Sequence, residues 1–296
     1  MRGAAAPPAA RCRFAAERLH ETGIVQLNEP AGSDIDALAA RLLANDYTRP
    51  FVIDDGQVRR LHLGLAYVQS EMNIARPDEL TFAYTRKMMG FLLFLPRPKH
   101  VLIVGLGGGS LTRFCHRSLP RSRITTVEID PDVIAFGDLF ALPPEDERHR
   151  LVHADAVDYL ATTADRPDVV LLDGCDGQGL APALAGAAFL HDVHRRLKPR
   201  GMLVVNLVGA TAALRATLAI VDEVFGGRII VQAVAEGGTR VAYAFKDAGF
   251  VPDWDAVQDG ARELGRRHGL DLPALARMLR RSGWGIAARR ARRSSG

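Results

Sequence analysis

The 296-residue chain is 48% hydrophobic and 24% charged, an ordinary globular balance that allows one large domain plus a smaller piece. No run of about 18 apolar residues occurs, which excludes an apolar membrane-spanning helix. The formal charge of +4 is uneven: residues 262–296 carry ten Arg against Glu263 and Asp271, a net of +8, which leaves about −4 for the rest.

Arg outnumbers Lys 34 to 4, as genome composition alone can produce, so Arg richness gives little reason to expect a nucleic-acid partner. The tail ARRARRSSG at 288–296 reads as a solvated end in preference to a contact for nucleic acid or an acidic partner. Cys12, Cys115 and Cys175 form no C-x-x-C and no metal spacing, which fits a reducing, cytoplasmic setting and no metal centre. The first 20 residues, with two prolines, an alanine bias and no sustained apolar run, read as a flexible leader and not a secretory signal.

In chain order, residues 23–27 read as a short strand and 34–43 as a helix opened by Asp34. Residues 50–53 and 58–63 flank Asp54-Asp55-Gly56, a hairpin signal, and 66–72 form another strand carrying Gln69. Residues 21–76 are therefore expected to be a small β-rich domain. Pro77-Asp78-Glu79 opens a helix expected to run to about Phe94, with Tyr84, Met88, Phe91 and Leu95 on its apolar face. On that spacing alone, Tyr84 is a core residue.

The chain is organised around residues 101–130. Four apolar residues at 101–104 predict a strand covered on both faces. Gly105, Gly107, Gly108 and Gly109 follow, where the backbone must turn and admit a ligand. A helix over 110–119 and a strand over 124–127 come next, and the strand ends at Glu128. This is a nucleoside-binding unit, with the carboxylate placed to take ribose hydroxyls. A dinucleotide fold wants a third glycine at 110, which is Ser. Gly105, Gly107 and Gly109 instead spell G-x-G-x-G, the pattern of class I S-adenosylmethionine folds, whose ligand lacks a pyrophosphate.

Further strands at 151–154, 168–172, 201–207, 228–234 and 240–245 alternate with helices at 131–140, 157–163, a segment reaching 197, and 211–225. Such alternation predicts an α/β fold over 77–250: a doubly wound, mostly parallel, seven-stranded Rossmann-like sheet. Residues 251–296 read as helices followed by the basic tail.

Ligands of open α/β sheets bind at the carboxyl ends of strands. Glu128, Asp130, Asp155 and Asp173 stand there, with Asp176 in the following loop. Asp130 before Pro131 reads as a helix cap. Glu128 suits the ribose diol, Asp155 the adenine amino group, and Asp173 the reacting centre.

Here the sequence resembles the spermidine synthases and their methyltransferase-fold relatives over about 60–245. The resemblance rests on the Gln69 strand, the Tyr84 helix, VLIVGLGGGSL, VEIDPDVI, HADAVDYL and DVVLLDGCDG. It implies that Gln69, Gly105, Gly107, Gly109, Glu128, Asp155 and Ala156 hold the donor. It further implies that Asp173 is the base, that Tyr84 and Asp176 meet the acceptor, and that the protein is a homodimer in polyamine biosynthesis. Three departures stand out. Gly108 occupies the position of the family's loop Asp. The loop at 173–177 lacks the family's proline, and 234–238 lacks its tyrosine. Three readings follow: aminopropyl transfer from decarboxylated S-adenosylmethionine to an amine, methyl transfer from S-adenosylmethionine itself, or non-catalytic nucleoside binding.

Overall fold

The computed structural model describes residues 11–176, 179–235 and 238–283, so the tail at 288–296, residues 236–237 and the side chain of Asp176 lie outside the described residues. The chain opens with β1 (Cys12–Ala15), where Cys12 and Phe14 alternate inward between exposed Arg13 and Ala15. Residues 12–19 are thus not a loose leader. Phe14 pairs opposite Val25 of β2 (Ile24–Leu27), and Cys12, Phe14, Ala16 and Leu19 enter a core with Leu38, Leu42, Phe51 and Ile53.

Helix α1 (Ile35–Leu43) is capped by Asp34, whose side chain accepts from the Asp36 and Ala37 N–H groups. Strands β3 (Phe51–Asp54), β4 (Val58–His62) and β5 (Val68–Asn73) complete an antiparallel meander of five strands in chain order. Its expected Asp-Asp-Gly turn forms as read, with Asp54 accepting from Gly56 N–H at 2.9 Å and Asp55 from Val58 N–H at 2.7 Å.

The helix expected from Pro77 is much shorter. Helix α2 covers only Ala83–Met88 and continues as a 3₁₀ turn over Met89–Leu93. Side chains take the carbonyls that a helix needs: Arg113 Nε donates to Pro77 O at 2.8 Å, and Arg86 Nη1 donates to Leu80 O at 2.6 Å and Thr81 O at 2.5 Å. Asp78 pairs with Arg117 instead of sitting in a first turn.

The remaining elements alternate: β6 (His100–Val104), α3 (Ser110–Ser118), β7 (Arg123–Glu128), α4 (Pro131–Ala135), β8 (His149–His153), α5 (Ala156–Thr162) and β9 (Val169–Leu172). A two-stranded pair, β10 (Cys175–Asp176) and β11 (Gly179–Leu180), occupies the segment expected to be plain loop. Then come α6 (Pro182–Ala185), α7 (Ala187–Arg196), β12 (Met202–Leu207), α8 (Thr211–Val224), β13 (Ile229–Ala233) and β14 (Arg240–Phe245). Helices α9 (Trp254–His268) and α10 (Leu272–Ser282) follow. The expected helix over 131–140 stops at Ala135, and Phe136 and Phe140 turn into a core shared with the N-terminal sheet.

The large sheet has seven strands in the order β13-β14-β12-β9-β6-β7-β8. All run parallel except β14, which is antiparallel to both neighbours. Strand order reverses between β6 and β9, the point at which such sheets open a crevice. Alternate residues of β6 serve opposite faces. Val101 and Ile103 pack with Phe91, Phe114 and the α10 residues Leu275 and Leu279, whereas Leu102 and Val104 pack with Phe189, Leu190 and Leu218. Burying both faces explains why these strands read as continuous apolar runs. Among the described residues, no helix is long and apolar enough to cross a membrane.

Candidate active site

At the β6/β9 switch point lies a cavity of about 300 Å³. Gln69, Gly105, Gly107, Glu128, Asp155, Ala156 and Asp173, predicted from four separate segments, all line it. Gly109 does not. It stands behind the loop as the N-cap of α3, in the left-handed conformation with φ 70°. Gly105 has φ 94°, and a Cβ there would run into the Asp173 carbonyl, so this glycine lets β6 and β9 approach at the crevice.

Glu128 is 9% exposed, and its Oε2 accepts from Leu106 N–H at 2.7 Å while Oε1 accepts from Ile129 and Asp130 N–H, both at 2.9 Å. Burial raises its carboxyl above the ordinary value, even against these three donors. The side chain therefore fastens the glycine loop as well as facing the cavity. Asp155 likewise has two duties: it caps α5 by accepting from Val157 N–H at 2.7 Å and lines the cavity wall. Asp130 caps α4 as read, accepting from Asp132 N–H at 2.8 Å.

Asp173 follows β9 and is held at both oxygens. Oδ1 accepts from Asn206 Nδ2 at 2.8 Å, and Oδ2 accepts from the Tyr84 hydroxyl at 3.2 Å. Burial pushes its carboxyl up to about 6, with the Asn206 and Tyr84 donors opposing the shift. Burial also drives the Tyr84 hydroxyl well above its ordinary value, helped by the Asp173 charge. Tyr84, placed by its spacing in the core, meets both that core and Asp173. Gln69 reaches across the site to donate from Nε2 to Cys175 O at 3.2 Å, tying β5 to the segment after Asp173.

Sequence reasoning missed Asn206. Its signal was available: one amide inside the apolar run Met202–Leu207, near the carboxyl end of a predicted strand. Asn206 is 2% exposed, so its amide is committed to Asp173 and not to solvent. Replacing it with Leu removes a donor to the ionised carboxylate. Asn206→Leu is expected to move the acid limb of a pH–rate profile upward from about 6, read by steady-state rates between pH 5 and 9.

The loop position where an acid was expected is closed. A Cβ on Gly108 would stand 2.6 Å from Ser70 Oγ and 3.0 Å from the Phe140 ring. Beneath it Arg113, 3% exposed, donates from Nη1 to Gly108 O and to Phe140 O at 2.6 Å. Among the described residues, no three His, Cys, Asp or Glu side chains are grouped to hold a metal ion.

A carboxyl group pushed up to about 6 at the wall of this cavity can accept or release a proton near neutral pH. Residues 81–214 match the spermine/spermidine synthase domain. The chain is 35% identical over 232 residues to the polyamine aminopropyltransferase of Chromobacterium violaceum, spanning 78% of this chain and 89% of that protein. Human methyltransferase-like protein 13, solved in complex with SAH, superposes with a TM-score of 0.57 at 26% identity over 64% of this chain and 93% of that one. Spermidine synthase from Thermotoga maritima shares the fold, with a TM-score of 0.59 at 18% identity over 81% of this chain and 80% of that one. The strand-end carboxylates of the crevice and the similarity to an aminopropyltransferase along nearly its whole length point the same way: the chain belongs to the spermine/spermidine synthase family of transferases.

Proposed function

We propose that the chain transfers an aminopropyl group from a decarboxylated S-adenosylmethionine-type donor to a small-molecule amine in polyamine biosynthesis, with Asp173 as the general base. The observation that carries this reading is the Asp173 carboxylate, fixed between Tyr84 and Asn206 at the cavity wall. An ammonium has no lone pair, so Asp173 first accepts its proton. The freed nitrogen then bonds to the propyl carbon as the carbon–sulfur bond breaks, and sulfur keeps the electron pair as a neutral thioether. Displacement at a sulfonium needs no Lewis acid. Glu128 offers its carboxylate to the ribose diol and Asp155 to the adenine amino group, while Tyr84 and Asp176 would meet the amine. The buried thiols Cys12 and Cys115 suit a reducing, cytoplasmic setting. A homodimer is the assembly proposed by resemblance to the family.

One observation favours a second reading, methyl transfer from S-adenosylmethionine itself. With Gly108 in place of an acid and Arg113 beneath the loop, the donor's ammonium arm lacks a loop carboxylate, and a donor carboxylate meets no repulsion there. Calorimetric titration with the two donors, followed by transfer assays on 1,4-diaminobutane, decides between them. Tighter binding of the decarboxylated donor with product formation sustains aminopropyl transfer; tenfold tighter binding of the carboxylated donor overturns it. Because Ser70 and Phe140 fill the space, Gly108→Asp is expected to lower stability by roughly 1–3 kcal/mol through overpacking. A thermal melt should therefore show a clear fall in midpoint, with no gain in affinity for the decarboxylated donor.

A further inference from the structure

One wall of the nucleoside cavity is built on very little local structure. Ile129, Asp130 and Val133 line the cavity, yet α4 is only five residues long, and the next strand begins at His149. An isolated helix of that length is not stable by itself. The N-terminal sheet holds it from outside.

Arg49, just before β3, grips Asp132 in the first turn of α4 with a two-point fork: Nε to Oδ2 and Nη2 to Oδ1, each at 2.6 Å. Its Nη1 donates to Glu29 Oε1 at 2.8 Å, an oxygen that also accepts from the Tyr47 hydroxyl at 3.1 Å. Asn28 Nδ2 donates to the Asp132 carbonyl at 3.0 Å. One turn further on, Arg11 reaches both oxygens of Asp138 at 2.9 and 2.6 Å and also the Ala135 carbonyl. Under this polar rim, Val52, Leu61 and Met72 share one core with Leu106 of the glycine loop and with Val133, Phe136 and Phe140. The glycine loop and the α4 wall thus rest on the same sheet.

We propose that the N-terminal sheet is a donor-affinity element, in which the Arg49–Asp132 fork positions the wall formed by residues 129–133, so that sheet docking and nucleoside binding are coupled. The proposal rests on the nucleoside-site reading and is independent of which alkyl group is transferred. With side-chain exposures of 40% and 21%, this ion pair adds little to global stability. What the planar fork supplies is orientation, since it fixes Asp132 in both distance and angle. Coupling of this kind is reciprocal: what stiffens the wall tightens the nucleoside, and the bound nucleoside tightens the sheet.

The test uses 5′-methylthioadenosine as the probe, because it lacks the donor's charged arm. In calorimetry of the full chain, Arg49→Met is expected to raise its Kd about five- to tenfold. Asp132→Asn should move it in the same direction, and the catalytic loss should appear in donor KM and not in kcat. Arg60→Met serves as the control: it breaks ion pairs to Asp55 at 2.9 Å and Glu71 at 3.1 Å within the N-terminal sheet, away from α4. Its Kd should equal that of the unmodified chain. In the unmodified chain the probe should also slow amide exchange in β1–β3, and Arg49→Met should lose that protection. Unchanged Kd in both Arg49→Met and Asp132→Asn, or an equal loss in Arg60→Met, overturns the coupling while leaving the nucleoside site in place. Failure of the unmodified chain to bind the probe is a different result, which overturns the nucleoside site and the coupling with it.

Discussion

Asp173→Asn is expected to lose turnover by about 10²–10⁴-fold while keeping nucleoside affinity within a factor of about two, to be read by steady-state rates and by calorimetry with 5′-methylthioadenosine. Asn preserves the shape of the side chain and one acceptor for the Tyr84 or Asn206 donor, but it has no basic oxygen. In the unmodified chain, rates should rise with pH through about 6, where Asp173 ionises, and then level off. Stability runs the other way. The carboxyl titrates near 6 in the folded chain and near 4 when unfolded, so the native state binds the proton more tightly. The stabilising contribution is complete below pH 4, declines as pH rises through 6, and is absent at neutral pH. At pH 7.5, Asp173→Asn should therefore be more stable by roughly 1–3 kcal/mol, visible as a higher melting midpoint. A variant that is both inactive and more stable separates a functional carboxylate from a structural one. If turnover survives unchanged, Asp173 is not the base.

Glu128→Gln carries the second large effect, and this time on binding. The carboxylate oxygens take three backbone N–H bonds from Leu106, Ile129 and Asp130, and the same group is offered to the ribose diol. In Gln an NH₂ replaces one acceptor and faces N–H donors, so a loop bond and a ribose bond are lost together. The lost bond to the ribose, at about 1.5–3 kcal/mol for a hydrogen bond to a charged group, should lower affinity for 5′-methylthioadenosine by about 10- to 100-fold. Unchanged affinity in Glu128→Gln would remove Glu128 from the nucleoside site.

The sheet and its crevice were legible because their signals are local and strong. Runs such as 101–104 and 169–172 have no polar option, and glycines with an acid at the next strand end admit few backbones. What stayed hidden depends on distant partners. The first turn after Pro77 fails as a helix because Arg86 and Arg113 occupy its carbonyls, and no window around Pro77 contains Arg113. The strand at Cys12–Ala15 is too short to announce itself and exists because β2 and α1 supply its core. Asn206 escaped because a lone amide in a strand looks like an imperfection until Asp173 is seen 2.8 Å away. At Gly108 the sequence shows a missing acid, but only the packing of Ser70 and Phe140 shows how crowded the position would be for one.

The core shared by Val52, Leu61, Met72, Leu106, Phe136 and Phe140 bears on how the chain is made. The five-stranded meander pairs neighbours in sequence, so its contacts are short-range and can form early, while later segments are still being synthesised. The glycine loop and the segment beyond α4 then emerge to find an apolar platform already built. A fragment beginning after Met72 has no such template and carries Phe136 and Phe140 uncovered, an invitation to aggregate. Expression of the α/β part alone should therefore give insoluble protein, whereas co-expression with residues 1–76 as a separate chain should rescue it.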